Sequence, residues 1–157
     1  MLSTRLLQRV EQHWDAIARA VVDQTRNDPN TPHHRVLDDE EIHARARDLV
    51  HNLGFWLTSG DETVVAHRYQ EVGRARHADG IPLTEVVYKL HLIERKTEDF
   101  IQTENSASTS VELYGELEML RALHRFFDLV VHNVVAGYEQ AAINTRAAAW
   151  SRSPRAS

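Results

Sequence analysis

The sequence predicts an all-α protein: a bundle of about five main helices ending in a long C-terminal helix. Three observations carry this. Apolar residues recur at three- and four-residue steps in each long segment, and no segment alternates apolar and polar residues between turn signals. Glycine and proline number 6 and 4 in 157 residues, too few for a chain of many short strands. The third observation is the run from about Ser110 to Ala149, which no proline interrupts. Leu113, Leu117, Leu120, Phe127, Val131 and Val134 form one stripe along it, and Met119, Leu123, Phe126 and Val130 form the next. At about 1.5 Å per residue this helix spans roughly 60 Å. Its two stripes make a face wider than a surface helix needs, so a second copy of the chain is expected to cover part of it.

The other elements follow in order. Ser3 or Thr4 caps a first helix whose apolar side is Leu6, Leu7, Val10, Trp14, Ile17, Val21 and Val22. Asn27-Asp28-Pro29-Asn30-Thr31-Pro32 is a loop, since each proline removes a backbone donor and turns its predecessor away from helical torsions. Asp38-Asp39-Glu40-Glu41 opens the second helix, where acidic side chains complement the dipole. Its buried face is Ile42, Ala46, Leu49, Val50, Leu53, Trp56 and Leu57, with Phe55 off the stripe. Ser59-Gly60-Asp61 breaks it, and Asp61 caps a third helix with Val64, Val65, Tyr69 and Val72 inside. Asp79-Gly80-Ile81-Pro82 ends that helix: Gly80 suits a left-handed cap and Pro82 blocks propagation. The fourth carries Leu83, Val86, Val87, Leu90, Ile93, Phe100 and Ile101, and the polar run Asn105–Ser110 leads into the long helix. Residues 1–150 read as one domain, and Ser151–Ser157 as a polar, basic tail.

The totals exclude several functions. The formal charge of -5, with no long Lys/Arg run, argues against a nucleic-acid surface. The absence of cysteine removes disulfides, thiolate-ligated metals and a thiol nucleophile. No stretch of about 18 apolar residues offers a membrane span. The charged amphipathic N-terminus is not a signal-peptide core, so a soluble cytoplasmic protein is expected. Neither a Gly-x-Ser-x-Gly elbow nor a Gly-rich phosphate loop is present.

The segment Gly73-Arg74-Ala75-Arg76 … Gly80-Ile81-Pro82-Leu83 … Tyr88-Lys89-Leu90 resembles the centre of the N-terminal sensor domain of RsbR-type regulators, the co-antagonist proteins of bacterial stressosomes. Phe126-Phe127-Asp128 followed by Gly137-Tyr138-Glu139 is a second match, and helix order agrees over about residues 5 to 145. The resemblance implies a globin-like helical fold without haem, a homodimer, and a signal passed to a following domain or protein partner; it brings no catalytic residue. Those proteins continue into a STAS domain or another output module. This chain is therefore expected to be either a stand-alone sensor or the sensor part alone. His132-Asn133 departs from the aromatic or apolar pair expected there.

Three readings stay open, one of them a purely structural helical adaptor with no ligand. The first is a non-enzymatic signalling module that dimerises and relays a ligand or partner signal. Its expected ligand pocket is Tyr88, His91, His124, Phe127 and Asp128, and its expected dimer interface Leu6, Val10, Trp14, Val134 and Tyr138. The second is a haem- or metal-binding protein. His124, Asp128 and His132 share one face of the long helix, and His91, Glu94 and Glu98 share a face of the helix before it. Histidines and carboxylates converging between two helices could hold a first-row metal, and His91 or His124 could ligate haem. The bland reading is polar residues along a solvated seam. Arg74 and Arg76, with Glu85 after the turn, are either an anion or partner site or exposed charges favoured at a helix C-terminus. Trp14, Phe55 and Trp56 read as core.

Overall fold

The computed structural model describes residues 2–104 and 109–154, with six helices among them and no strand. These are α1 (Leu2–Gln12), α2 (Trp14–Asn27), α3 (Asp39–Ser59), α4 (Glu62–Ala78), α5 (Leu83–Glu104) and α6 (Ser110–Arg152). The helix expected from Thr4 to Asn27 is two, broken at His13, where no proline or glycine marks the place. Packing supplies the reason. The break lets α1 lie across α6 while α2 turns away to pair with α3 and α5. Val10 on α1 and Ile17 on α2 then both reach the core.

The helix ends follow local chemistry. The Asp38 carboxylate accepts from Glu41 N at 2.7 Å and opens α3. Gly60 closes α3 at φ 66°, the left-handed conformation in which a side chain is strained. Asp61 caps α4 by accepting from Thr63 N and Val64 N. Gly80, at φ 74°, makes the reversal into α5. Thr109 and Glu112 form a reciprocal capping box at the start of α6. α6 is a single helix of 43 residues.

The body is arranged on α6. α4 lies along it most closely, α5 and α1 flank it, and α2 with α3 form the opposite side. Met119, Leu123, Phe126, Phe127, Val130 and Val134 of α6 are buried against Val65, Tyr69, Leu53 and Ile93 of its neighbours. Where α4 crosses α6 the two backbones touch. A Cβ on Gly73 would overlap the Val134 carbonyl oxygen and stand 2.8 Å from Tyr138 N. A Cβ on Gly137 would overlap the Gln70 carbonyl oxygen and lie 2.7 Å from its carbon. Side chains secure the crossing: Gln70 Nε2 donates to Asn133 Oδ1 at 3.0 Å, and the Tyr138 hydroxyl donates to Ile81 O at 2.7 Å. Asn133, the departure from an apolar pair, is thus a buried clamp, while its neighbour His132 is exposed.

Both stripes of α6 are covered from Met119 to Val134, but the N-terminal stretch is bare. Val111, Leu113, Tyr114 and Leu117 are all exposed. Beyond Gly137, the last buried residue, α6 continues for 15 residues, about 22 Å, with Ile143 and Trp150 exposed. Val64, expected inside, is also exposed, because Val65 and Tyr69 define the inner face of α4. Phe55, read as core, is exposed instead, because it lies off the stripe that α3 buries.

In an ordinary helix interior Gly→Ala stabilises by up to about 1 kcal/mol. At the crossing the added methyl meets backbone that cannot rotate away. Gly73→Ala and Gly137→Ala are expected to destabilise by about 2–3 kcal/mol each, read as a lower urea midpoint. A Gly137→Ala protein as stable as the wild type would contradict this packing.

Candidate functional site

Between α3, α4 and α5 lies a cavity of about 310 Å³, built on an apolar floor of Leu49, Val72, Val86, Leu90 and Ile93. Four cations line it: Arg45 from α3, Arg68 and Arg76 from α4, and Lys89 from α5. Two carboxylates, Glu41 and Asp48, face them. Each is already engaged: Arg45 Nε donates to Glu41 Oε1 at 2.8 Å, and Arg68 Nη2 to Asp48 Oδ1 at 3.3 Å. The Arg76 guanidinium stands 3.8 Å from Asp79. Lys89 is 5% exposed and has no ion-pair partner among the described residues; its ammonium donates to the buried Thr25 hydroxyl, which itself donates to Val21 O at 2.6 Å.

Among the described residues, two buried side-chain polar atoms make no hydrogen bond, Arg45 Nη1 and the Tyr69 hydroxyl, and both residues line this cavity. Tyr69 is 1% exposed. Buried polar atoms are almost always satisfied, so two orphans in one cavity mark it out. Burial, then the positive charges of Arg45 and Arg26, pulls the Lys89 ammonium down to about 8, still mostly protonated at neutral pH. Burial and then Arg45 pull Arg76 down to about 10. Burial pushes the Tyr69 hydroxyl up, so it is a donor.

The loop of residues 28–38 closes one end. Glu85 holds it: Oε1 accepts from His33 N at 2.8 Å, from His34 N at 3.0 Å, and pairs with His34 Nδ1 at 3.0 Å. Oε2 pairs with His33 Nδ1 at 2.6 Å. Burial alone would raise the Glu85 carboxyl, but the side-chain and backbone hydrogen bonds from His34 and the bond from His33 outweigh it and keep it ionised. His34, which lines the cavity, is buried and its pKa is lowered chiefly by desolvation, so it stands neutral. At the other end of the loop the Tyr88 hydroxyl donates to Asp28, and that bond is the main reason the Asp28 carboxyl is held low.

The residues expected to act together are placed differently. Tyr88 borders a surface hollow with His33 and Pro82, and His124 borders another on the outer side of α6 with Tyr114 and Arg121. Phe127 is wholly core, while His91 and Asp128 are exposed. His91 and His124 do meet, through Glu94: His124 Nδ1 lies 2.9 Å and His91 Nδ1 3.5 Å from its carboxylate. Glu98 is half-buried; Asp128 and His132 face outward. Among the described residues no three His, Asp or Glu side chains are grouped so as to hold a metal ion. Of the expected interface, Val10 and Val134 are fully buried within the chain's own core and present no outer surface. Trp14 is half-buried, its ring edge-on to His43 at 4.4 Å with Arg47 above it. Tyr138 keeps only an edge exposed, and the Leu6 side chain lies outside the described residues. Of the charges flagged in sequence, Arg76 and Glu85 belong to the cavity and its loop.

Arg45 and Lys89 were not singled out in the sequence, yet each interrupts an apolar stripe. Arg45 follows Ile42 by three and precedes Leu49 by four; Lys89 follows Val86 by three and precedes Ile93 by four. A cation at such a position is a legible signal for a buried charge.

The body is all-helical among the described residues, with a projecting rod and a partly open cavity of apolar floor and cationic rim. Residues 15–150 match the family model of the RsbT co-antagonist protein rsbRD N-terminal domain, and the chain belongs to that family. It is a family of signalling domains of the stressosome type. No curated protein and no solved structure matches the chain. Among the described residues no helix is long and apolar enough to cross a membrane.

A lysine depressed by burial opposes folding while it is charged. Below about pH 8 both folded and unfolded chains carry the proton, and the folded one bears the burial cost. Between about 8 and 10.5 only the unfolded chain holds it, so the wild type gains stability as pH rises through that window. Lys89→Met is expected to stabilise the protein by about 1–3 kcal/mol at pH 7, with the advantage fading by pH 10. Thermal unfolding of both proteins across that range checks it.

Proposed function

We propose that this domain is a non-enzymatic sensor that pairs with a second copy of itself and relays a ligand or partner signal through α6. The observation that carries the reading is the double excess of α6, a bare apolar stretch at one end and an unsupported length at the other. Family membership supports it, since a signalling domain must pass its state onward to a protein. The globin-like arrangement, the cytoplasmic setting and the absence of haem or metal belong to the same proposal. His91 and His124 fit it because both are half-exposed and occupied by Glu94.

Val111, Tyr114 and Leu117 follow one another at three-residue steps, with Leu113 beside them. Glu118, Arg121 and Arg125 border the same groove. In a two-fold contact the same patch appears on both sides, so Glu118 of one copy can meet Arg121 or Arg125 of the other. This patch replaces Val10 and Val134 as the dimer face.

α4 supplies the relay. Tyr69, Val72 and Arg76 look into the cavity, while Gln70 and Gly73 touch α6. A change of cavity contents that turns α4 must move its crossing with α6.

Light scattering is expected to show a dimer, and Tyr114→Lys with Leu117→Lys to give a folded monomer with unchanged far-ultraviolet circular dichroism. A concentration-independent wild-type monomer would overturn the pairing. A Soret band in the purified protein would overturn the cofactor-free reading. The chain has no cysteine, so Asn144→Cys gives one labelling site for measuring movement of the projecting helix.

A further inference from the structure

We infer that the cavity between α3, α4 and α5 is a binding site for a small organic carboxylate, its acid group taken by Arg45, Lys89 and the Tyr69 hydroxyl and its apolar part lying on Leu90 and Ile93. This rests on the reading of the domain as a ligand-responsive module and supplies the chemical class of the ligand.

The argument begins with the unmatched donors. Arg45 Nη1 and the Tyr69 hydroxyl are buried without a hydrogen bond of good geometry, Asn52 being close to the hydroxyl, in a chain whose other buried polar side chains among the described residues are satisfied. Arg45 spends its Nε on Glu41 and holds its second edge toward the cavity lining. A guanidinium edge is matched to a carboxylate, which it binds by two parallel N–H···O bonds. Lys89 adds a buried ammonium whose bonded partner is a neutral hydroxyl. Arg45, Arg68 and Arg76 face Glu41, Asp48 and, at 3.8 Å, Asp79, which leaves Lys89 as the lining cation without an ion pair among the described residues. A buried charge is ordinarily paired, and Lys89 has no ion-pair partner among the described residues: Asp28 and Glu85 act on it only through space.

The rest of the lining sets the size and character of the guest. The cavity is at the small end for a ligand pocket, and its floor is aliphatic. A fully hydrated inorganic ion would leave that floor bare, whereas a carboxylate with a short hydrocarbon body fills both halves. His34, held neutral at the mouth by Glu85, adds no charge of its own.

Benzoate and hexanoate are the probes, tested by thermal shift and calorimetry on the full chain at pH 7, with inorganic phosphate and with sodium chloride at matched ionic strength. At least one carboxylate is expected to bind saturably and raise the melting temperature, with chloride inactive. Lys89→Met and Arg45→Met are expected to weaken binding at least tenfold. Arg47→Met, which removes a cation over Trp14 outside the cavity, is expected to leave it unchanged. Lys89→Met remains informative because it should fold at least as well as the wild type. No response to either carboxylate, an equal response in Lys89→Met, or binding of phosphate alone would each overturn the assignment. Failure to bind with the dimer intact would remove the carboxylate site and not the relay. A monomer that still binds would remove the relay and not the site.

Discussion

The contact between Gly73 and Gly137 is the constraint on which the other helices depend. With no side chain at either position, the α4 and α6 backbones meet directly, and Gln70 with Asn133 fixes their register beside the contact. α4 is thereby seated too deep for its inner residues to face α6 alone. Tyr69 is driven edge-on against Phe126, and the next face of α4 looks away toward α3 and α5. The cavity is the space left on that side. Widening the crossing by one methyl on either helix would shift the wall that carries Arg68, Tyr69, Val72 and Arg76.

The cavity itself runs against the usual economy of a core. Burying an unpaired ammonium and an unmatched guanidinium edge opposes folding, and an aliphatic pair of the same shape would pack at no such penalty. The fold tolerates them because their neighbours are tied down independently. Glu85 anchors the 28–38 loop through two backbone amides and two imidazoles, and Arg26 holds the same loop by donating to Leu37 O and Asp39. Lys89 and Arg45 Nη1 are therefore carried by a scaffold whose loop is held by other residues.

Much of the architecture was legible in the sequence because its signals are local. Capping residues, the Gly80-Ile81-Pro82 turn and the long stripe of α6 act within a few residues of themselves. The break at His13 was not, since it answers to where α6 and α3 lie and not to any residue nearby. The site was largely illegible for a related reason. His91, His124, Asp128 and His132 are spaced like ligands along their helices, but all four are exposed, and spacing does not say which face a helix buries. Arg76 and Glu85 were noticed through their place beside the turn. Arg45 and Lys89 announced themselves only as charges within apolar stripes, and Tyr69 looked like any core aromatic until its hydroxyl was seen to lack a partner.

Magnitudes decide whether such a cavity can drive anything. A lysine held near 8 against an ordinary 10.5 carries about 3 kcal/mol of unfavourable burial while it is charged. An anion that cancels most of that in one arrangement of α4, and less in another, shifts their ratio by about two powers of ten. In the proposed relay the energy would enter on one wall of the cavity and leave by the opposite face of the same helix. Because α4 and α6 touch backbone to backbone, no flexible side chain lies between them to absorb a displacement. The 15 residues of α6 past Gly137 then act as a lever: a rotation of a few degrees at the crossing becomes a displacement on the order of 1–2 Å at Arg152. On the proposed relay, a close glycine contact with a cationic cavity on its far side would couple two places that share no side chain.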